Sequence, residues 1–125
     1  MNVVDSSAWL EYFANGGNAR FFANAIEETA KLIVPTICLF EVFKKVLQQR
    51  NEGAALQAIA LMRQGRVADL DERLALAAAE LSLRERLPAA DSIVLATARR
   101  FAATLWTQDA DFEGKHGVRF VAARK

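Results

Sequence analysis

The sequence predicts an α/β protein: a central, mostly parallel sheet of about five short strands between two layers of helices. Three observations carry that expectation. Short apolar runs at 2–5, 31–34, 66–68, 102–106 and 118–122 alternate with longer stretches of helical periodicity. The first two runs are nearly uninterrupted, which suits strands buried on both faces. Hydrophobic residues make up 53% of 125 positions. That suffices for one substantial core and is too short for two ordinary domains, so residues 1–125 are expected to form a single domain.

Taken in order, Asn2-Val3-Val4-Asp5 is strand one, with two β-branched residues leading into an acid. Ser6 or Ser7 is expected to cap the helix that begins Ala8-Trp9-Leu10 and ends near Phe13. Asn15-Gly16-Gly17-Asn18 breaks it. Ala19 to Thr29 is helical, with Phe22, Ala25 and Ile26 on one side. Lys31 to Val34 is strand two, ended by Pro35, which needs no ladder amide. Thr36 is expected to cap a helix from Ile37 to about Arg50, where Leu39, Val42, Phe43, Val46 and Leu47 recur at helical spacing. Glu52-Gly53 permits a break before a second helix, Ala54 to Gln64, and the two are expected to form a projecting pair.

After Gly65, Arg66-Val67-Ala68 is a short strand. Asp69 followed by Glu72 resembles a capping box opening a long Ala/Leu helix to about Arg86. Leu87-Pro88 stops that helix and starts another, Ala89 to Arg99, with Asp91 in its first turn. Ala102 to Trp106 is the next strand, and Thr107-Gln108-Asp109-Ala110-Asp111 follows its end. Val118 to Ala122 is the last strand, and Ala123-Arg124-Lys125 is a tail ending in two basic residues.

Composition narrows the function classes. There are 16 Lys plus Arg against 15 Asp plus Glu, a formal net charge of +1, so the arrangement of charge matters more than its total. The single cysteine, Cys38, excludes an internal disulfide and a cysteine-based zinc site; its simplest role is a small buried hydrophobe. No apolar run approaches the ~18 residues of a membrane span. With Met1 leading directly into the first strand, a cytoplasmic protein without a targeting segment is expected.

The chemistry is carried by acids. Asp5 and Asp109 each follow an apolar strand, Asp91 lies in the first turn of a helix, and Glu41 lies in the helix after strand two. All four are expected near the carboxyl edge of the sheet, where open parallel sheets bind ligands. Asp111 is either a fifth ligand or a turn residue closing on its own backbone, whereas Asp69 and Asp71 are assigned to helix capping. Carboxylates held together repel one another and raise one another's pKa. A divalent cation removes that conflict, and an oxygen-only ligand set favours magnesium or manganese over zinc.

These residues also resemble a known family. Val4-Asp5-Ser6-Ser7-Ala8 looks like the opening of a PIN domain, and Glu41 falls where that family has its helical glutamate. Ala90-Asp91-Ser92-Ile93-Val94-Leu95-Ala96-Thr97-Ala98 resembles its third acidic motif, and Thr107-Gln108-Asp109-Ala110-Asp111-Phe112 its fourth. No single piece is diagnostic, but the four occur in the expected order over nearly the whole chain. The length points to the VapC-like toxins of toxin–antitoxin pairs. The resemblance implies a three-layer α/β/α fold and a magnesium- or manganese-dependent endoribonuclease leaving a 3′-hydroxyl and a 5′-phosphate. It implies Asp5, Glu41, Asp91 and Asp109 as the catalytic and metal-binding quartet, with Asp111 an auxiliary metal ligand. It also implies a homodimer, a cognate antitoxin laid across a groove, and a structured RNA target, transfer or ribosomal.

Around the acids, Ser6 is expected to bond a carboxylate or metal-held water, or to cap its helix, and Thr107 to orient a carboxylate or stabilise the turn. Candidate RNA contacts are Lys44, Lys45, Arg84, Arg86, Arg99, Arg100, Lys115 and Arg119, each weighed against an ordinary surface charge. His116, the only histidine, sits in a glycine-flanked loop and is not needed as a base. Trp9, Tyr12, Phe13, Phe43 and Leu47 are either core or the lining of a partner groove. Two other classes stay open. A magnesium-dependent phosphate-sensing domain also gathers acids at strand ends, but usually has paired acids after strand one and a late-strand lysine. Here a lone Asp5 and Thr107 stand at those places. A non-catalytic PIN-like module would be favoured by loss of a quartet acid, and none is missing. Nothing in the residues excludes DNA as the target.

Overall fold

The computed structural model describes residues 1–124; Lys125, the second basic residue of the tail, lies outside the described residues. Five strands form one sheet: β1 (Asn2–Val4), β2 (Leu32–Pro35), β3 (Arg66–Ala68), β4 (Thr104–Thr107) and β5 (Val118–Phe120). Their order is β3-β2-β1-β4-β5, and all pairings are parallel. The helices are α1 (Ser6–Phe13), α2 (Ala19–Glu27), α3 (Thr36–Gln49), α4 (Glu52–Met62), α5 (Glu72–Glu85) and α6 (Ala89–Arg100). Single 3₁₀ turns occur at Thr29–Lys31 and Ala110–Phe112.

The chain steps outward from β1 to β2 to β3, then returns across the sheet to β4. With right-handed crossovers, α1 to α4 cover one face and α5 with α6 the other, giving the expected three-layer α/β/α arrangement. The strand order reverses between β1 and β4. A crevice therefore opens beyond their carboxyl ends, because the connections leave in opposite directions there.

Buried aliphatic residues of β1 and β2 fill the middle of the core: Val3, Val4, Ile33 and Val34 have no exposed surface. Trp9 and Phe22 pack against them from α1 and α2, and Val94, Leu95 and Ala98 from α6. Phe112 is fully buried beneath the 3₁₀ turn after β4 and anchors that turn. Cys38 is fully buried, with burial pushing its thiol pKa up, as suits a packed small hydrophobe.

The sequence places the elements well and several of their caps wrongly. Asp5, not Ser6 or Ser7, caps α1, accepting from the Ser7 amide at 3.3 Å. Of the two acids assigned to capping, Asp71 caps α5, accepting from the Leu74 amide at 2.8 Å, and Asp69 does not. Thr36 is the first residue of α3 and makes no cap; Pro35 precedes it in extended conformation. The break between α3 and α4 falls at Arg50 and Asn51, where the Asn51 side chain accepts from the Ala54 amide at 2.8 Å, and Gly53 is already helical. For α1 and α5, the polar residue expected to cap is not the one whose oxygen reaches a free amide of the helix; α3 has no side-chain cap at all.

Candidate metal centre

β1 ends at Val4, so Asp5 stands at the mouth of the crevice, yet its residue is only 4% exposed. Its backbone N–H donates to the Trp106 carbonyl at 3.0 Å, which stitches the start of α1 to β4. One carboxylate oxygen, Oδ2, accepts from three donors: the Ser7 hydroxyl at 2.6 Å, the Thr107 hydroxyl at 2.9 Å and the Ser7 amide at 3.3 Å. Desolvation pushes the Asp5 carboxyl pKa up. The two hydroxyl donors oppose that shift, and the charges of Asp109 and Glu41 add to it.

Thr107 is fully buried at the end of β4 and works in two directions. Its hydroxyl donates to Asp5 and accepts the Asp109 amide at 2.9 Å. Asp109 caps the following turn, its Oδ1 accepting from the Asp111 amide at 2.9 Å. Asp91 comes from the opposite layer, in the first turn of α6. Carboxylate oxygens of Asp91, Asp109 and Asp111 all lie within 4.8 Å of one another. The Asp91 pKa is raised to about 8, first by loss of solvent, then by its hydrogen bond with Asp111, then by the charges of Asp109, Asp5 and Asp111.

Glu41 is partly buried on α3 and accepts from the Ser6 hydroxyl at 2.6 Å. Ser6 thus bonds a carboxylate and does not cap its helix. Asp5, Glu41, Asp91 and Asp109 share one electrostatic neighbourhood: Asp5 feels Glu41 and Asp109, and Asp91 feels Asp5 and Asp109. The mutually close set, however, is Asp91, Asp109 and Asp111, with Asp111 the exposed member. Ser7 is the residue sequence reasoning missed at the centre. Its signal was present, because a hydroxyl two positions after a strand-end acid can fold back onto it. Asn18 was missed as well: it is 2% exposed, and its Nδ2 donates to Gln108 Oε1 at 3.0 Å and to the Ala122 carbonyl at 2.9 Å. It ties the loop beside Asp109 to the end of the chain.

The matching comparison decides the family. The PIN domain family model matches residues 3–116. The chain belongs to the PIN domain family. Solved PIN-fold structures agree over nearly the full length. A toxin–antitoxin complex from Klebsiella pneumoniae is 20% identical, covering 95% of this chain and 96% of that one with a TM-score of 0.81. VapC20 from Mycobacterium tuberculosis, a sarcin–ricin loop cleaving toxin, is 18% identical, covering 94% and 97% with a TM-score of 0.78. DNA-bound VapBC from Salmonella typhimurium is 16% identical, covering 97% and 96% with a TM-score of 0.73. Comparison with curated proteins gave no match.

The remaining expected residues are spread over the PIN fold. Arg99 and Arg100 sit in the last turn of α6, about 12 Å or more along the axis from Asp91. Arg99 and Lys115 both engage Glu85, and the His116 carbonyl accepts from Arg99 at 3.2 Å. Arg84 and Arg86 are exposed near the end of α5, and Arg119 lies over the Trp106 ring at 4.8 Å. Lys44 and Lys45 are exposed on α3, with Lys44 5.8 Å from the Phe40 ring centroid. Trp9 has no exposed surface and belongs to the core, so it cannot line a partner groove. Tyr12 donates to Glu27 at 2.8 Å, Phe43 is half-buried, and Leu47 is exposed. A groove of about 400 Å³ does open between α1, α3 and α4, lined by Leu10, Phe13, Val46, Ala54, Ala58 and Leu61. Of the five expected lining residues, Phe13 alone is there.

Proposed function

We propose that this protein is a magnesium- or manganese-dependent endoribonuclease, the toxin of a toxin–antitoxin pair, hydrolysing phosphodiester bonds in a structured RNA such as transfer or ribosomal RNA. The observation that carries this reading is the convergence of Asp91, Asp109 and Asp111 within 4.8 Å at the β1/β4 crevice, beside the buried Asp5. The donor set fits a hard divalent cation. It offers carboxylate oxygens alone, and loss of solvent, then the hydrogen bond with Asp111 and the charges of the neighbouring acids, raise the Asp91 pKa to about 8, a cost to its charged form that a cation would relieve.

Asp91, Asp109 and Asp111 would hold such an ion, with Asp5 and Glu41 completing the acidic wall. When bound, it supplies Lewis-acid activation of water and neutralises charge building on the phosphoryl oxygens. The chain's own residues supply orientation. Thr107 and Ser7 fix one oxygen of Asp5, Oδ2, by donating their hydroxyls to it. Ser6 fixes Glu41 in the same way. The Thr107 bond to the Asp109 amide sets the turn that carries two of the acids. Preset carboxylates spend no reorganisation energy when the substrate's charge develops.

The toxin role draws on the likeness to toxin–antitoxin complexes and on the groove between α1, α3 and α4, whose apolar walls fit an antitoxin helix or extended segment. A homodimer in the cytoplasm completes the reading. No helix among the described residues is long and apolar enough to cross a membrane. The deciding experiment is sequencing of RNA 5′ ends after expression of wild type and Asp5→Asn, with purified protein assayed in manganese and in EDTA. New 5′ ends should appear with wild type alone and require the cation in vitro; equal cleavage in EDTA would overturn the reading.

A further inference from the structure

A second groove, of about 420 Å³, lies between α5 and α6. Its floor is apolar, with Leu74 and Leu81 buried, and its walls carry four arginines: Arg73, Arg84, Arg99 and Arg100. Two of these are held by acids, Arg99 by Glu85 and Arg100 by Asp71 at 2.8 Å. Among the described residues, Arg73 and Arg84 form no ion pair, and Glu80, which stands between them on α5, reaches neither. Four guanidinium groups against Asp71, Glu85 and the nearby Glu80 leave an excess of one positive charge.

The spacing says what this charge suits. Arg73 and Arg84 share one face of α5, about three turns or ~16 Å apart. A single small anion cannot bridge that span, whereas a chain bearing a charge at every unit can. Ala96 to Arg100, the α6 wall, begin about 8 Å and end about 14 Å along the helix from Asp91. No aromatic side chain lines the groove, so it offers bases no stacking platform. Planar guanidinium forks match phosphate oxygens in geometry.

We propose, resting on the ribonuclease reading above, that this groove holds the phosphodiester backbone of the RNA substrate, a few nucleotides from the bond at the acidic site. Binding there is independent of sequence and positions the strand, because phosphate contacts set register and carry no base information.

The test is fluorescence anisotropy with a 5′-labelled single-stranded RNA of mixed sequence, titrated in EDTA over a range of NaCl. Wild type is compared with Arg73→Ala/Arg84→Ala, Arg73→Lys/Arg84→Lys and Asp109→Asn. Each lost phosphate contact should reduce the log–log salt slope by ~0.7, so the double alanine variant should lose ~1.4 and bind about tenfold or more weakly at low salt. The lysine variant should recover most of that slope. Asp109→Asn should keep it in full while cleaving nothing in manganese. An unchanged slope in the double alanine variant overturns the proposal. So does unchanged RNA binding with lost binding of poly-glutamate, which would assign the groove to an acidic protein segment. Wild type that shows the arginine-dependent slope but no manganese-dependent cleavage would sink the ribonuclease reading while leaving the groove a backbone site.

Discussion

Thr107 and Asp5, 102 residues apart in the chain, are joined by a buried 2.9 Å hydrogen bond that fastens the ends of β1 and β4 at the point where the sheet reverses direction. The same hydroxyl receives the Asp109 amide. One side chain therefore positions two acids from two strands, and removing it should disturb both.

Thr107→Val keeps the shape and removes the hydroxyl. The buried Asp5 carboxylate then loses a donor, at a cost of about 1.5–3 kcal/mol for a hydrogen bond to a charged group. Urea denaturation should show a lower midpoint with an unchanged slope, and cleavage should fall at least tenfold. Thr107→Ser should restore most of both. A Val variant as stable and active as wild type would remove Thr107 from the positioning scheme.

Asp5→Asn should abolish cleavage and, in EDTA at neutral pH, raise thermal stability. The folded-state pKa of Asp5 is raised above 3.8, so the folded protein favours its protonated form. For a raised acid, folding stability falls as pH climbs from the unfolded value through the raised folded value. Asparagine removes the charge and can keep an oxygen where Ser7 and Thr107 donate. The stabilisation should shrink when manganese is added, since the cation offsets the Asp5 charge in wild type and has no such charge to offset in the variant. Melting curves in EDTA and in manganese, between pH 4 and 8, measure both effects.

Cation affinity should rise with pH up to about 8 and then level. Without an ion, Asp91 holds its proton up to about that pH, so binding below it must displace the proton. One displaced proton changes affinity by up to about tenfold per pH unit. Calorimetric titration of manganese in two buffers of different ionisation enthalpy should report proton release near pH 7 and little near pH 9. In Asp91→Asn the release should disappear along with most of the affinity. Equal proton release by wild type and variant would assign the raised pKa elsewhere.

The fold was legible because its signals are local. Val3-Val4, Leu32-Ile33-Val34 and the helical spacings read directly as elements, and strand–helix alternation leaves few topologies open. The acids at strand and helix ends were legible for the same reason. What stayed hidden depends on distance across the fold. That Trp9 is core follows from α2 and the sheet closing over it, and that Arg99 turns to Glu85 follows from how α6 crosses α5. Ser7 was hidden by degeneracy. Two adjacent serines each suited a cap, and only the folded structure sends one to Asp5 and the other to Glu41.

Glu85 provides a stability test independent of the acidic centre. Its carboxylate binds Arg99, lies 3.9 Å from Lys115 Nζ, and is mostly shielded, with 20% of the side chain exposed. Its pKa is lowered, chiefly by the hydrogen bond from Arg99. For a depressed acid, the stabilisation is present above the unfolded value of about 4.5 and is lost as pH falls through the lower folded value. Partial exposure of both partners reduces the contribution by solvent screening, to about 1 kcal/mol. Glu85→Gln should therefore melt below wild type at pH 7, and the two curves should converge as pH drops toward 3. Manganese affinity should be untouched at neutral pH, because Arg99 lies at the opposite end of α6 from Asp91. A stability gap that persists undiminished at pH 3 would show that Glu85 acts by packing alone rather than through its charge.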